Sequence, residues 1–343
     1  MPNRRIFVAD ISNGMTLDQV FVVRSKELRT TKTGGLFISF ELGDSSGSIS
    51  GKLWQASEAI FNGIPDEGFL QIKGRVEDYR GTLQLSIDSC RPYPKDKVNL
   101  SDFLPVSPYD VEEMWAETLE ILHKIKNRHI KQLMKKFLED QKLITAVKRA
   151  PAAMQMHQNY IGGLLEHTLN VMRAAERLLP MYPQLNADLV LAGVFLHDLG
   201  KAAELTSGLN IHYTERGMLV GHITAAVVWV QQKAAAVSDE LGEPFPRRIV
   251  DLLQHIILAH HGQHDFGSPK LPAIPEAFFI HYLDNLDAKM FITFNAIEKD
   301  TNKDSPFTSY IRALETRLYK HSDNLDGDDE NGGEGDGSGP LFG

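Results

Sequence analysis

The sequence predicts a chain of two unlike parts, an all-β part up to residue 95 followed by an all-α part from residue 111. Three observations predict it. Short runs rich in β-branched and aromatic residues, several of them alternating in polarity, fill residues 15–95 and read as strands. Four prolines, Pro92, Pro94, Pro105 and Pro108, punctuate a stretch without periodicity. Beyond it apolar residues recur at helical spacing, as in Leu165, Leu169, Met172 and Ala175, and no strand run of comparable quality follows.

The strand runs are 20–23, 36–42, 48–54, 69–76 and 83–87, with a helical segment at 56–61 between the third and fourth. Gly-rich turns at 33–35, 43–47 and 79–81 separate them. Five strands with a short helix after the third is the layout of an OB-fold barrel. The expected organisation is multidomain: an OB-fold nucleic-acid-binding domain over 1–95, a linker over 96–110, an all-α domain over 111–321 with its core at 150–300, and a disordered acidic tail over 322–343. Helices are expected at 111–126, 128–139, 163–179, 188–199, 222–241 and 247–260.

Composition narrows the function classes. A 42% hydrophobic share over 343 residues is enough to bury a core. The longest apolar stretches, such as 190–196, fall well short of the ~20 residues of a membrane span, and the N-terminus lacks a signal-peptide run. The expectation is a cytoplasmic protein with no membrane partner. The single cysteine, Cys90, excludes a disulfide framework and a Cys-rich zinc site, and it reads as a packing residue of the barrel. The net charge of -9 sits mostly in the tail, whose seven acids face no Lys or Arg, so the near-neutral body is compatible with a polyanionic ligand.

Eight of the 13 histidines lie between His197 and His281. The central piece is Phe195-Leu196-His197-Asp198-Leu199-Gly200-Lys201, at the end of an apolar helix. His167, His222, the pair His260-His261, and Asp284 with Asp287 likewise stand on or beside apolar helical runs. Any one of them reads equally well as a hydrogen-bonded core residue. Five helices each bringing a His or Asp into a core are explained by hydrogen bonding or by metal, because unpaired burial is costly. Without Cys, imidazole and carboxylate suit Mn, Fe, Co, Ni or Zn.

The order His, His-Asp, His, His-His, Asp resembles the HD superfamily of metal-dependent phosphohydrolases over residues 150–300. With an OB barrel in front, the whole chain resembles the YhaM family of 3′→5′ exoribonucleases. The resemblance implies His167, His197, Asp198 and Asp284 as basic metal ligands, with Asp198 bridging two ions. It implies His222, His260 and His261 as the added ligands of binuclear members, and Lys201 facing the substrate phosphate, so that Asp198 and Lys201 form the catalytic pair. The implied cofactor is a pair of divalent ions, Mn²⁺ foremost. The implied reaction is stepwise hydrolysis of single-stranded RNA to nucleoside 5′-monophosphates, with DNA left open as a second substrate. Two features depart from related patterns: His157 is followed by Gln158 rather than a second histidine, and Gly262-Gln263-His264-Asp265-Phe266 lacks the Gly-Tyr-Pro of the cyclic-dinucleotide branch. A phosphohydrolase of small or cyclic nucleotides and a nucleic-acid-binding adaptor with an inactive centre stay open as alternatives.

OB barrels bind single strands by aromatic stacking and basic groove residues. The candidates are Phe37, Trp54 and Tyr79 with Lys52, Lys73, Arg75 and Arg80, although Phe37 and Trp54 read equally well as core. The lysine-rich stretch from Lys124 to Lys136 reads as a solvated face. The tail ends Leu341-Phe342-Gly343, which suits docking to a protein partner, and a homo-oligomer is compatible with all of this.

Overall fold

A computed structural model of the chain describes residues 5–79, 81–104, 106–154, 158–209, 211–302 and 305–320. Arg80, His157 and the acidic tail at 322–343 lie outside the described residues. Among those described, the chain divides into two units, 1–288 and 289–343.

The strands are β1 (Thr16–Thr30), β2 (Leu36–Asp44), β3 (Gly47–Trp54), β4 (Phe69–Tyr79) and β5 (Thr82–Tyr93), with α1 (Glu58–Asn62) after the third. They close into a barrel in the order β1-β2-β3-β5-β4, where β3 and β5 run parallel and the other neighbours antiparallel. Alternation fixes the faces: along β4, Leu70, Ile72 and Val76 point into the core while Lys73, Arg75 and Glu77 point out. A bulge between Lys73 and Gly74 adjusts the register of β4 on β5. Cys90 packs against the barrel core, half-buried.

The helices that follow are α2 (Val111–His123), α3 (Arg128–Leu138), α4 (Gln141–Arg149), α5 (Gly163–Leu178), α6 (Ala187–His197), α7 (Lys201–Glu204), α8 (Glu215–Val220), α9 (His222–Leu241), α10 (Arg247–Ala259) and α11 (Pro275–Glu298). Helix α6 is buried at every position from Leu189 to His197, so it is the central rod of the domain, with α5, α9 and α10 packed around it. It ends two residues earlier than its apolar periodicity suggests, because Asp198 leaves the helical region at φ -106°, ψ 1°. The short α7 and α8 escape periodicity, at four and six residues. The lysine-rich face is ion-paired: Lys124 with Glu176, Arg128 with Glu243, and Lys136 with Glu240.

The segment 96–110, expected as a linker, carries buried side chains. Phe103 and Leu104 are buried with Val22 and Phe69 of the barrel and Leu209 of the helical part. The prolines that suggested a linker limit secondary structure but not packing. In the second unit, Asp300 is held by Lys320, and isolated bridges pair Phe307 with Tyr319 and Ile311 with Thr316. No helix among the described residues is long and apolar enough to cross a membrane.

Phe103 stacks edge-on to Phe69 at 4.8 Å between ring centroids and lies 4.0 Å from the Arg5 guanidinium carbon. Phe103→Ala is therefore expected to lower unfolding stability by about 3–5 kcal/mol in urea titration. A loss below about 1 kcal/mol would mean that the segment is not part of the packed core.

Candidate metal centre

Helices α5, α6, α9, α10 and α11 each deliver one or two polar side chains to a single buried point. His167, His197, Asp198 and Asp284 bring one ligand atom each to within 4.8 Å of one another, and so do Asp198, His222, His260 and His261. Asp198 belongs to both groups and divides its oxygens between them. Its Oδ2 lies 3.6 Å from His167 Nε2 and 3.4 Å from His197 Nε2. Its Oδ1 lies 3.4 Å from His260 Nε2 and 3.6 Å from His222 Nε2. Asp284 Oδ1 closes the first group at 3.1 Å from His167 Nε2. All seven ligands expected from the sequence thus converge.

The outer partners explain why every imidazole presents Nε2 inward. His197 Nδ1 meets the Val194 carbonyl at 2.6 Å and His260 Nδ1 the Ile257 carbonyl at 2.8 Å, each three residues back on its own helix. His261 Nδ1 meets the Phe266 carbonyl at 2.8 Å. His167 Nδ1 is held by Asp287 at 2.7 Å and His222 Nδ1 by Glu204 at 2.8 Å. Such partners fix the tautomer and orient the ring of a ligating histidine. Gln158, where the related pattern has a second histidine, is buried and donates through Nε2 to Asp287 at 3.1 Å. Neither Asp287 nor Glu204 is assigned a role by spacing alone; a carboxylate three residues past the ligand Asp284, one helical turn on, is the signal that could have found Asp287.

The donor set fits divalent cations. His197 Nε2, Asp198 Oδ1, His222 Nε2 and His260 Nε2 are fully buried and have no hydrogen-bond partner among the described residues. Each unmatched buried polar atom costs on the order of 1–3 kcal/mol, and cations between the two groups would satisfy all four. Charge is arranged to match. Burial opposes ionisation of Asp198, yet the Lys201 ammonium, 2.6 Å from Oδ2, and His197 hold its carboxyl well below the usual carboxylate range. Burial, then the neighbouring His260, push His261 down to about 3, and burial also lowers His260, so these rings stay neutral. His167 differs: burial opposes its charge, but Asp284 and Asp287 raise it to about 10.

Two glycines permit the close approaches. A Cβ at Gly200 would stand 2.1 Å from the His222 carbonyl oxygen, so only glycine lets the turn after Asp198 touch the start of α9. Gly262, at φ +78°, leaves room for the His281 ring, whose Nδ1 lies 2.7 Å from the His260 carbonyl.

On the barrel, Phe37 and Trp54 are not core residues. They pair across β2 and β3 on the outer surface with ring centroids 5.0 Å apart, and Trp54 is 49% exposed. Lys52 Nζ lies 5.6 Å from the Trp54 ring and 5.3 Å from the Tyr79 ring. Ser86 of β5 sits opposite both Lys52 and Arg75, which places the two cations in one cross-strand row. Lys73 stands apart, ion-paired with Asp18 at 3.1 Å.

An OB barrel joined to a helical domain with an HD-type His/Asp centre defines a class, a nucleic-acid-binding module fused to a metal-dependent phosphohydrolase domain. Residues 21–93 match the OB-fold nucleic acid binding domain family, and residues 164–289 match the HD domain family. The chain is 36% identical to a 3′-5′ exoribonuclease YhaM of Geobacillus sp. over 309 residues, covering 89% of this chain and 92% of that protein. It is 33% identical to the 3′-5′ exoribonuclease YhaM of Bacillus subtilis, covering 89% and 95%. The Listeria monocytogenes protein of the same name is 32% identical, covering 90% and 96%. The chain belongs to the YhaM family of 3′→5′ exoribonucleases.

Two measurements check the centre. Because His167 is protonated at pH 7 without metal and must offer a neutral Nε2 to bind one, Mn²⁺ uptake should release about one proton. Affinity should then rise about tenfold per pH unit from neutrality up to about pH 10. Calorimetry in buffers of different ionisation heat reads the proton, and a heat independent of buffer contradicts the assignment. Gly200→Ala should displace His222 and weaken Mn²⁺ binding by about tenfold or more, as loss of an orienting contact typically does. Unchanged affinity would mean that the close approach is not needed.

Proposed function

We propose that this chain is a metal-dependent 3′→5′ exoribonuclease that shortens single-stranded RNA and releases nucleoside 5′-monophosphates. The observation that carries the reading is Asp198, with one carboxylate oxygen in each ligand group. On this reading His167, His197, Asp198 and Asp284 would hold one divalent ion, and Asp198, His222, His260 and His261 a second, with Mn²⁺ favoured. Bound there, such a pair would supply a water of lowered pKa and stabilise the oxygens of an in-line displacement at phosphorus. The chain's own residues do the rest. Asp198 sets the spacing of the two groups, and Asp287, Glu204 and the Val194 and Ile257 carbonyls keep the imidazoles aimed. Lys201, beside the shared carboxylate, offsets charge on the non-bridging phosphate oxygens.

The barrel supplies the substrate class. Phe37, Trp54 and Tyr79 offer stacking surfaces, and Lys52 and Arg75 meet the phosphates. This strip has no use for a lone nucleotide, which disfavours the small-nucleotide reading. The complete ligand set disfavours an adaptor with an inactive centre. The choice of RNA over DNA leans on what the relatives are named for.

The test is digestion of 5′-end-labelled single-stranded RNA with Mn²⁺, resolved at single nucleotides. A ladder shortening from the 3′ end with 5′-monophosphate products is expected, and early internal fragments would contradict it. Asp198→Asn should lose about 10³-fold or more in turnover together with bound metal. Lys201→Met should keep its metal and lose about 10²–10³-fold.

A further inference from the structure

Between α7 and α8 the chain makes a small hairpin that carries none of the seven candidate metal ligands. It is closed by a Leu205–Tyr213 bridge and by the Thr206 N–H donating to the His212 carbonyl at 2.9 Å. Its outer end lies on the barrel. Leu209 is buried among Val22, Phe69, Phe103 and Leu104. Arg24 of β1 donates from Nη1 to the Leu209 carbonyl at 3.1 Å, and from Nη2 to the carbonyls of Asp44 at 3.4 Å and Phe103 at 3.5 Å. One guanidinium thus ties together β1, the end of β2, the segment after the barrel and the hairpin.

The inner end lies against the metal centre. Thr214 donates its N–H to the Glu204 carbonyl at 2.8 Å and its hydroxyl to the Ala203 carbonyl at 2.7 Å. The Glu204 carboxylate accepts the His222 backbone N–H at 3.0 Å and faces His222 Nδ1. A continuous set of contacts therefore runs from Arg24 on the barrel to a ligand of the second group. Meanwhile Phe69, in the docking patch, and Tyr79, on the stacking strip, stand at opposite ends of β4. At a strand rise of about 3.3 Å per residue they are about 30 Å apart. A strand held on the strip reaches the centre only if the barrel keeps one position.

We propose that Arg24 and the 205–213 hairpin are positioning elements that register the strand-binding barrel against the hydrolytic centre, so that RNA bound on the barrel delivers its 3′ end to the centre as an intramolecular step. The inference rests on the exoribonuclease reading. A fixed geometry raises the effective concentration of the bound end at the centre, and a loose joint lowers it without altering either site. Binding to the barrel sets KM, and delivery sets kcat.

The test uses full-length Arg24→Met, with Leu209→Ala as a milder variant from the other side of the contact and Arg24→Lys as the conservative control. Manganese content, hydrolysis of bis-p-nitrophenyl phosphate, and kcat and KM on long single-stranded RNA are measured. Arg24→Met and Leu209→Ala should keep their manganese and the small-substrate rate. On long RNA they should show KM within about twofold of wild type and kcat lowered about tenfold, and Arg24→Lys should recover part of that loss. Wild-type kcat on long RNA in both variants would overturn the inference. So would a parallel loss on the small phosphodiester, which would make the hairpin a support of His222 alone. A wild-type protein that cleaves the small phosphodiester but not RNA contradicts the exoribonuclease reading, whereas an RNA-degrading wild type with unaffected variants contradicts this inference only.

Discussion

Everything in the helical domain is organised around one buried carboxylate. Asp198 sits in an apolar interior at the end of α6, where an unpaired charge would be strongly destabilising. Lys201, one turn on, neutralises part of that charge and touches one oxygen, and four imidazoles ring both oxygens. No protein group satisfies Oδ1 among the described residues. The arrangement is a poor solution for a purely structural core and a good one for holding cations. The requirement that two oxygens of one side chain serve two groups places the end of α6, the start of α9 and the end of α10 at one point, with His167 of α5 and Asp284 of α11 reaching it from within their helices.

The fold meets that requirement with ordinary devices. Helix α6, apolar from Leu189 to Leu196, places its own C-terminus at the centre of the domain, where the last turn's carbonyls are available to orient imidazoles. Helix α10 repeats the device at His260. Gly200 removes the one Cβ that would keep α9, and therefore His222, away from the turn after Asp198. The asymmetry between the groups follows from their outer partners. His167 lies between two carboxylates that raise its pKa against burial, whereas burial lowers those of His260 and His261.

The strands and the helix-period regions were legible in the sequence because burial pattern is a local property, whereas the seven candidate ligands came from the resemblance of their order along the chain to the HD pattern. Other features were not legible. Glu204 sits six residues past Asp198 with no spacing rule attached, and only the close packing at Gly200 brings it to His222. Phe37 and Trp54 could not be assigned to a face from alternation alone; the pairing of β2 with β3 decides that they face outward together. Proline content suggested a linker at 96–110 but not that Phe103 and Leu104 in it are buried, because contact with Leu209 is a property of the fold and not of the segment. Lys73, whose residue type suits a phosphate contact, is ion-paired with its cross-strand neighbour Asp18, which sequence spacing does not reveal.

On the proposed function, the Asp198 carboxylate would be shared between two cations. Electron paramagnetic resonance of the protein titrated with Mn²⁺ tests that directly, since two ions on one bridging carboxylate are magnetically coupled. Uptake of two equivalents with the broad, multiline signature of a coupled pair is expected, and its loss in Asp198→Asn. A signal that grows only as isolated six-line Mn²⁺, or that saturates at one equivalent in the wild type, would contradict it.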